Sequence, residues 1–110
     1  DFNTVLQYID WMDADVITIE AARAKGEVIS AFEHYNYTRQ IGPGVFDVHT
    51  PAVPSVGSIE AVMTRAIRVF PKEQFWVNPD CGLKTRKWDE VIPALKHMVQ
   101  AARNLRERQA

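Results

Sequence analysis

The chain has a single cysteine, Cys81, so no intrachain disulfide can form. It has almost no net charge: 13 Lys and Arg stand against 14 Asp and Glu, giving -1. That balance leaves no electrostatic footprint for nucleic acid or for an anionic membrane. No apolar run approaches the ~20 residues that a membrane helix needs. No charged segment followed by an apolar core marks a secretory signal. With one unpaired thiol, this leads to the expectation of a reducing, cytoplasmic compartment. Residue-level repeats and low-complexity stretches are missing too. What is present is ordinary globular composition, 46% hydrophobic and 25% charged, in 110 residues that suit one small domain.

Apolar spacing divides the chain into alternating elements. Val5, Leu6, Ile9 and Met12 recur at helical spacing, so a helix is expected over residues 2–12. The β-branched run Asp15–Ile19 predicts a buried strand ending at Glu20. A helix is expected over 27–35, with Val28, Ile29 and Phe32 on one face. After Gly42-Pro43-Gly44, Val45–Val48 predicts a second strand ending at His49. Pro51 and Pro54 exclude helix from the next loop. Ser58 suits the N-cap of a helix carrying Ile59, Val62, Met63, Ala66, Ile67 and Phe70, which Pro71 ends. Phe75–Val77 predicts a third strand. A last helix is expected from about Trp88 to Arg106, with Pro93 near its start, where a missing N–H costs least.

The order α-βα-βα-βα implies an α/β fold with a parallel sheet and right-handed crossovers. Three parallel strands make a poor domain by themselves, because both faces of such a sheet must be covered. The economical expectation is the closing three βα units of a (βα)₈ barrel, a fold that typically needs about 250 residues.

Glu20, His49 and Cys81 each fall at or just past a predicted strand end. About 30 residues separate each from the next, the length of one βα unit. In a parallel barrel those ends share the catalytic rim. Cys81 lies in a polar turn, Asn78-Pro79-Asp80-Cys81-Gly82, followed by Lys84 and Arg86. Such surroundings favour thiolate, the form that binds metal or attacks carbon. Thiolate, imidazole and carboxylate together are the donor types of a Zn²⁺ site. Taken singly, Glu20 also fits a solvated strand-end charge, His49 a hydrogen-bonded turn residue, and Cys81 an inert thiol. No compact C-x-x-C or H-x-x-x-H spacing decides between these readings.

Several long stretches carry a resemblance. They are Asp15–Glu20, Ile41–Pro51, Val53–Ser55 and Trp76–Arg86, extending into Met98–Leu105. Together they resemble the C-terminal end of the cobalamin-independent methionine synthase family, and the similarity covers nearly the whole chain. The resemblance implies that residues 1–110 are the C-terminal part of a zinc-binding (βα)₈ catalytic domain. It implies methyl transfer from a methyltetrahydrofolate polyglutamate to homocysteine. It implies that Glu20 and Cys81 are zinc ligands and that His49 is the catalytic proton donor. The role of acid suits an imidazole, which titrates near neutral pH, because the folate nitrogen must be protonated to leave. Asp47, two residues before His49, would share its strand face and orient its ring.

The family's remaining zinc ligands form a His-x-Cys pair, and no such pair occurs here. The resemblance places that pair upstream, together with the residues for homocysteine and folate. The remaining upstream part of the barrel is therefore an expected partner. The isolated chain is expected to be inactive, and either poorly folded or oligomeric. The alternative is a non-catalytic barrel fragment that serves only as an interaction or complementation piece.

Other residues read as structural. His34 and His97 are expected on the surface of their helices. Trp11, Trp76 and Trp88 are expected in core or rim packing. Arg103, Arg106 and Arg108 suit a helix C-terminus, and Glu107 interrupts them, so no nucleic-acid patch is read there.

Overall fold

A computed structural model describes residues 4–23 and 26–109. The first helix, α1, is short, Leu6–Asp10, and it buries Leu6. Strand β1, Val16–Ile19, follows. Helix α2, Glu27–Ala31, runs on into a 3₁₀ turn over Phe32–His34, so the helix expected over 27–35 tightens in its last turn. Strand β2 is Gln40–Pro43. The long helices α3, Val56–Val69, and α4, Trp88–Gln109, complete the chain, with a 3₁₀ turn at Leu83–Thr85 between them. Among the described residues, no helix is long and apolar enough to cross a membrane.

β1 and β2 pair in parallel, Val16 opposite Gln40 and Ile19 opposite Pro43. The parallel sheet read from the alternation of elements is therefore present. The second strand lies earlier than the expected Val45–Val48. Ile41, buried without exposure, has the apolar environment of a central strand, and the pairing with β1 ends where the Gly44 N–H donates to the Ile19 carbonyl. Residues 45 and 46 pair only on the other side. The Val45 N–H donates to the Asn78 carbonyl, and the Asp80 N–H donates to the Phe46 carbonyl. The third strand is correspondingly reduced. Around Phe75–Asn78 two isolated parallel bridges, Ile41 to Phe75 and Gly44 to Asn78, stand in place of a continuous ladder. β2 thus lies between β1 and this third segment.

The core sits between the sheet and its helices. Ile59, Met63 and Ala66 line the buried face of α3, and Ala94, Ala101, Ala102 and Leu105 line that of α4. Val45, Phe46 and Val48 pack with Ile59, Met63 and the α4 residues, whereas Ala66 packs with Ala21 and Ile29. A second cluster joins Leu6, Phe32, Tyr37, Ile41 and Phe70. There Phe32 meets Phe70 and Tyr37 edge-to-face, at 5.2 and 5.6 Å between ring centres.

The cap of α3 is Ser55, three residues before the expected Ser58. Ser55 is extended, and its side chain accepts from the Ser58 N–H at 3.0 Å. The preceding Pro54 leaves Ser55 as the first position free to take that role. Pro93 lies in the second turn of α4. His97 is half-buried, with Nδ1 2.7 Å from the Pro54 carbonyl, so it ties α4 to the loop before α3. The surface place expected for His97 is corrected by that bond. The three tryptophans are exposed, against the expected packing. Trp76 instead donates from Nε1 to Gln40 Oε1 at 2.6 Å. His34 is exposed as expected.

Candidate active site at the strand ends

The polar residues of the site are carried by the segments that leave the sheet. Glu20 directly follows β1. Its side chain is one-third exposed, yet Oε1 is buried and accepts no hydrogen bond. His49 Nδ1 stands 3.4 Å from that oxygen. Two of the three residues expected at one rim are therefore brought together. His49 does not end a strand, however; it lies beyond β2 in a bend, and a local turn holds it.

That turn is built by Asp47. Its Oδ1 accepts the His49 backbone N–H at 2.9 Å and lies 2.9 Å from His49 Nδ1. The carboxylate can only accept, so Nδ1 carries the proton towards Asp47 and leaves Nε2 free. The orientation of the ring by Asp47 was expected from strand alternation. The structure achieves it by an Asx turn, in which the side chain bonds a backbone two residues on. The His49 backbone N–H, followed by local burial and the His49 ring, acts on Asp47. The net effect is a carboxyl group held below its ordinary range.

Cys81 is exposed and free. It is followed by Gly82, whose φ of 100° is the left-handed region that glycine adopts without strain. That glycine turns the chain into the 3₁₀ turn, and the Gly82 carbonyl accepts from both the N–H and the Oγ1 of Thr85. The Cys81 thiol is thus presented on a defined turn.

Sequence reasoning missed Asp80. Its side chain is 1% exposed, and it is the one charged residue among the described residues that is fully buried. Oδ1 accepts the Ala21 and Ala22 N–H groups, both at 3.1 Å, and Oδ2 accepts the Arg23 N–H at 2.8 Å. Burial pushes this carboxyl group above its ordinary range and the nearby Glu20 charge adds to that; the three N–H bonds oppose it. Gly42 and Gly44 make room for this layer. A Cβ on Gly44 would fall 1.7 Å from Asp80 Oδ1, and one on Gly42 would fall 1.8 Å from Asn78 Oδ1. A usable signal did exist: Gly42 and Gly44, two apart, face Asn78 and Asp80, also two apart, on the neighbouring segment.

The donor set suits a soft-to-borderline cation. Glu20 offers a buried oxygen without a hydrogen bond, and Cys81 offers a thiol. Among the described residues, no group of three or more His, Cys, Asp or Glu side chains is arranged to hold a metal ion. A cavity of about 240 Å³ between α3 and α4 is lined by Met63, Phe75, Ala102 and Leu105. Lys72, Arg106 and Gln109 also border it, and it holds none of the strand-end residues.

A family model described as the catalytic domain of the cobalamin-independent synthase matches residues 1–104. A 5-methyltetrahydropteroyltriglutamate–homocysteine methyltransferase from Thermotoga maritima is 55% identical over 109 residues. That match covers 98% of this chain and 15% of the relative. The enzyme of the same name from Acidithiobacillus ferrooxidans is 56% identical over 108 residues, covering 98% of this chain and 14% of the relative. The chain therefore spans about 15% of the length of the curated relatives it matches. Among solved structures, a B12-independent methionine synthase from Shewanella sp. W3-18-1, in complex with selenomethionine, superposes with a TM-score of 0.79. The superposition covers 98% of this chain and 30% of that one. At 14% identity it shows the α/β fold alone.

Proposed function

This chain belongs to the cobalamin-independent methionine synthase family, and from that footing we propose that it supplies part of a zinc site and the proton donor for methyl transfer to homocysteine. The methyl donor in this reading is a methyltetrahydrofolate polyglutamate, and the product is methionine. The chain acts as the C-terminal part of a (βα)₈ catalytic domain, with the rest of that barrel as its partner. Parallel segments in consecutive order, joined through helices, support that reading of the fold. The observation that carries the proposal is the approach of His49 to a buried Glu20 oxygen that accepts no hydrogen bond.

Glu20 and Cys81 would hold the zinc, together with donors from elsewhere in the enzyme. Bound zinc keeps a thiol in its thiolate form at neutral pH. The remaining work falls to residues of this chain. Asp47 holds His49 Nδ1, so the ring presents Nε2 outward. A proton carried there passes to the folate nitrogen as the nitrogen–methyl bond breaks and the sulfur–methyl bond forms. The Asp47 carboxylate steadies the imidazolium before transfer and fixes the ring's direction. By itself the chain holds two donors and one acid, and is expected to be inactive.

Zinc content and turnover of two variants of the intact enzyme test this reading. Cys81→Ser is expected to lose most bound zinc together with activity. His49→Asn is expected to keep zinc and lose turnover. Full zinc stoichiometry in Cys81→Ser would remove Cys81 from the shell. Loss of zinc from His49→Asn would make His49 a ligand instead of an acid.

A further inference from the structure

We propose that Asp80 is a positioning residue, which locks the loop after Glu20 onto the loop carrying Cys81 and so presents the two donors together before a metal arrives. This rests on reading Glu20 and Cys81 as zinc donors. It adds a residue that touches neither substrate nor metal.

The geometry is specific. Three consecutive backbone N–H groups, of Ala21, Ala22 and Arg23, converge on one carboxylate far away in sequence. Successive N–H groups aimed at one point form an anion-binding concavity, and its backbone conformation is fixed by the anion it holds. Glu20 is joined directly to the first of those residues, and Cys81 directly follows the carboxylate. The clamp therefore sets where both donors leave the scaffold. Asp80 is itself fixed from behind, because its N–H donates to the Phe46 carbonyl at 3.0 Å. Gly44 lies beneath the clamp, where a Cβ would approach both Asp80 Oδ1 and, at 2.9 Å, the Asp80 Cα. The second of these is backbone and cannot swing aside.

The carboxylate is not replaceable on volume alone. An apolar side chain would fill the same buried space but would orphan three amides. An amide side chain nearly preserves the shape, yet its NH₂ would face donors. Glu20 is not consumed in the clamp, and its Oε1 stays without a hydrogen bond. Asp80 thus bears the cost of ordering the loop while the donor remains available. Groups that orient metal ligands typically change affinity 10–100-fold when removed.

The test uses the intact enzyme. Asp80→Asn should lower zinc affinity 10–100-fold in competition with a chelator, and should change the visible spectrum of the cobalt-substituted protein. Gly44→Ala should shift that spectrum in the same way, because its methyl group displaces the clamp. Amide exchange in the unaltered enzyme should show Ala21, Ala22 and Arg23 protected alike with zinc bound and with zinc stripped. If Asp80→Asn keeps normal affinity and spectrum while Cys81→Ser loses zinc, the clamp is overturned and the zinc reading stands. If Cys81→Ser keeps zinc as well, the zinc reading fails, and this inference with it. Should Asp80→Asn not fold, the exchange measurement decides. Protection that appears only with zinc bound would mean that the metal orders the loop, and would overturn the proposal.

Discussion

Between α3 and α4, buried side chains recur at helical spacing: Ile59 and Met63 on one helix, Ala94, Ala101 and Leu105 on the other. At the strand ends each important side chain occurs once. Glu20, Asp47, His49, Asp80 and Cys81 come from three separate segments, and hydrogen bonds and close glycines hold the region together. The helix seam is a redundant structure, in which one altered contact leaves its neighbours packed. The rim is not redundant. The seam's polar edge at Glu60, which accepts from Asn104 and Arg108 at 2.7 and 2.9 Å, is its nearest equivalent to the Asp80 clamp. Glu60 bonds two side chains one helical turn apart, whereas Asp80 bonds the backbone of another loop. The comparison teaches that the seam supplies stability and the rim supplies geometry.

Substitutions in the intact enzyme can break that contrast. The largest expected effect is on chemistry. His49→Asn should slow turnover by roughly 10²–10⁴-fold, as loss of a general acid does, while the thermal midpoint stays close to that of the parent. A large fall in the midpoint would show that the rim carries stability after all. Met63→Ala should do the reverse. It should destabilise by about 2–5 kcal/mol, with zinc per folded molecule unchanged, as read by denaturant titration and metal analysis. Zinc loss at full stability would contradict the separation of the two regions.

Gly42→Ala lies between these cases, since its methyl group would overlap Asn78 Oδ1. An overpacking cost of about 1–3 kcal/mol is expected, and a shift of the third segment should appear in the amide signals of residues 75–78. Ser55→Ala removes only the cap of α3 and should cost about 1 kcal/mol, without effect on turnover.

The smallest effect concerns pH. The Asp47 carboxyl group titrates below the ordinary aspartate value of 3.8, chiefly through the His49 N–H. The stability it lends is therefore fully present above that value, and is lost as pH falls through the lower, folded-state value. Asp47→Asn should flatten the acid side of the stability curve. An unchanged acid limb would show that the turn bond has no energetic weight.

Most of the fold was legible because helices and strands announce themselves locally. The apolar stripe of α4 and the β-branched run of β1 needed no partner to be recognised. The placement of β2 was less legible. Val45–Val48 looks more strand-like than Gln40–Pro43, which contains glycine and proline. Pairing with β1 selected the latter, and only neighbouring strands can exert that choice. The weak third strand has a similar cause: its ladder forms with β2 and with residues 45 and 46 on one side only.

At the site, residue type and order singled out Glu20, His49 and Cys81, and long motifs tied them to a family. Composition alone excluded a disulfide. Periodicity by itself determined the alternation of helix and strand. Tertiary structure alone decided that His49 approaches Glu20, that an Asx turn holds its ring, and that Asp80 binds three amides of a distant loop. The physical reason is one of range. Helical and strand periodicities are local and repeat, so they survive in the sequence. A buried carboxylate satisfied by amides nearly sixty residues away, with |i−j| of 57 to 59, leaves no local trace, because the burial that makes those bonds valuable exists only once the chain has closed around them.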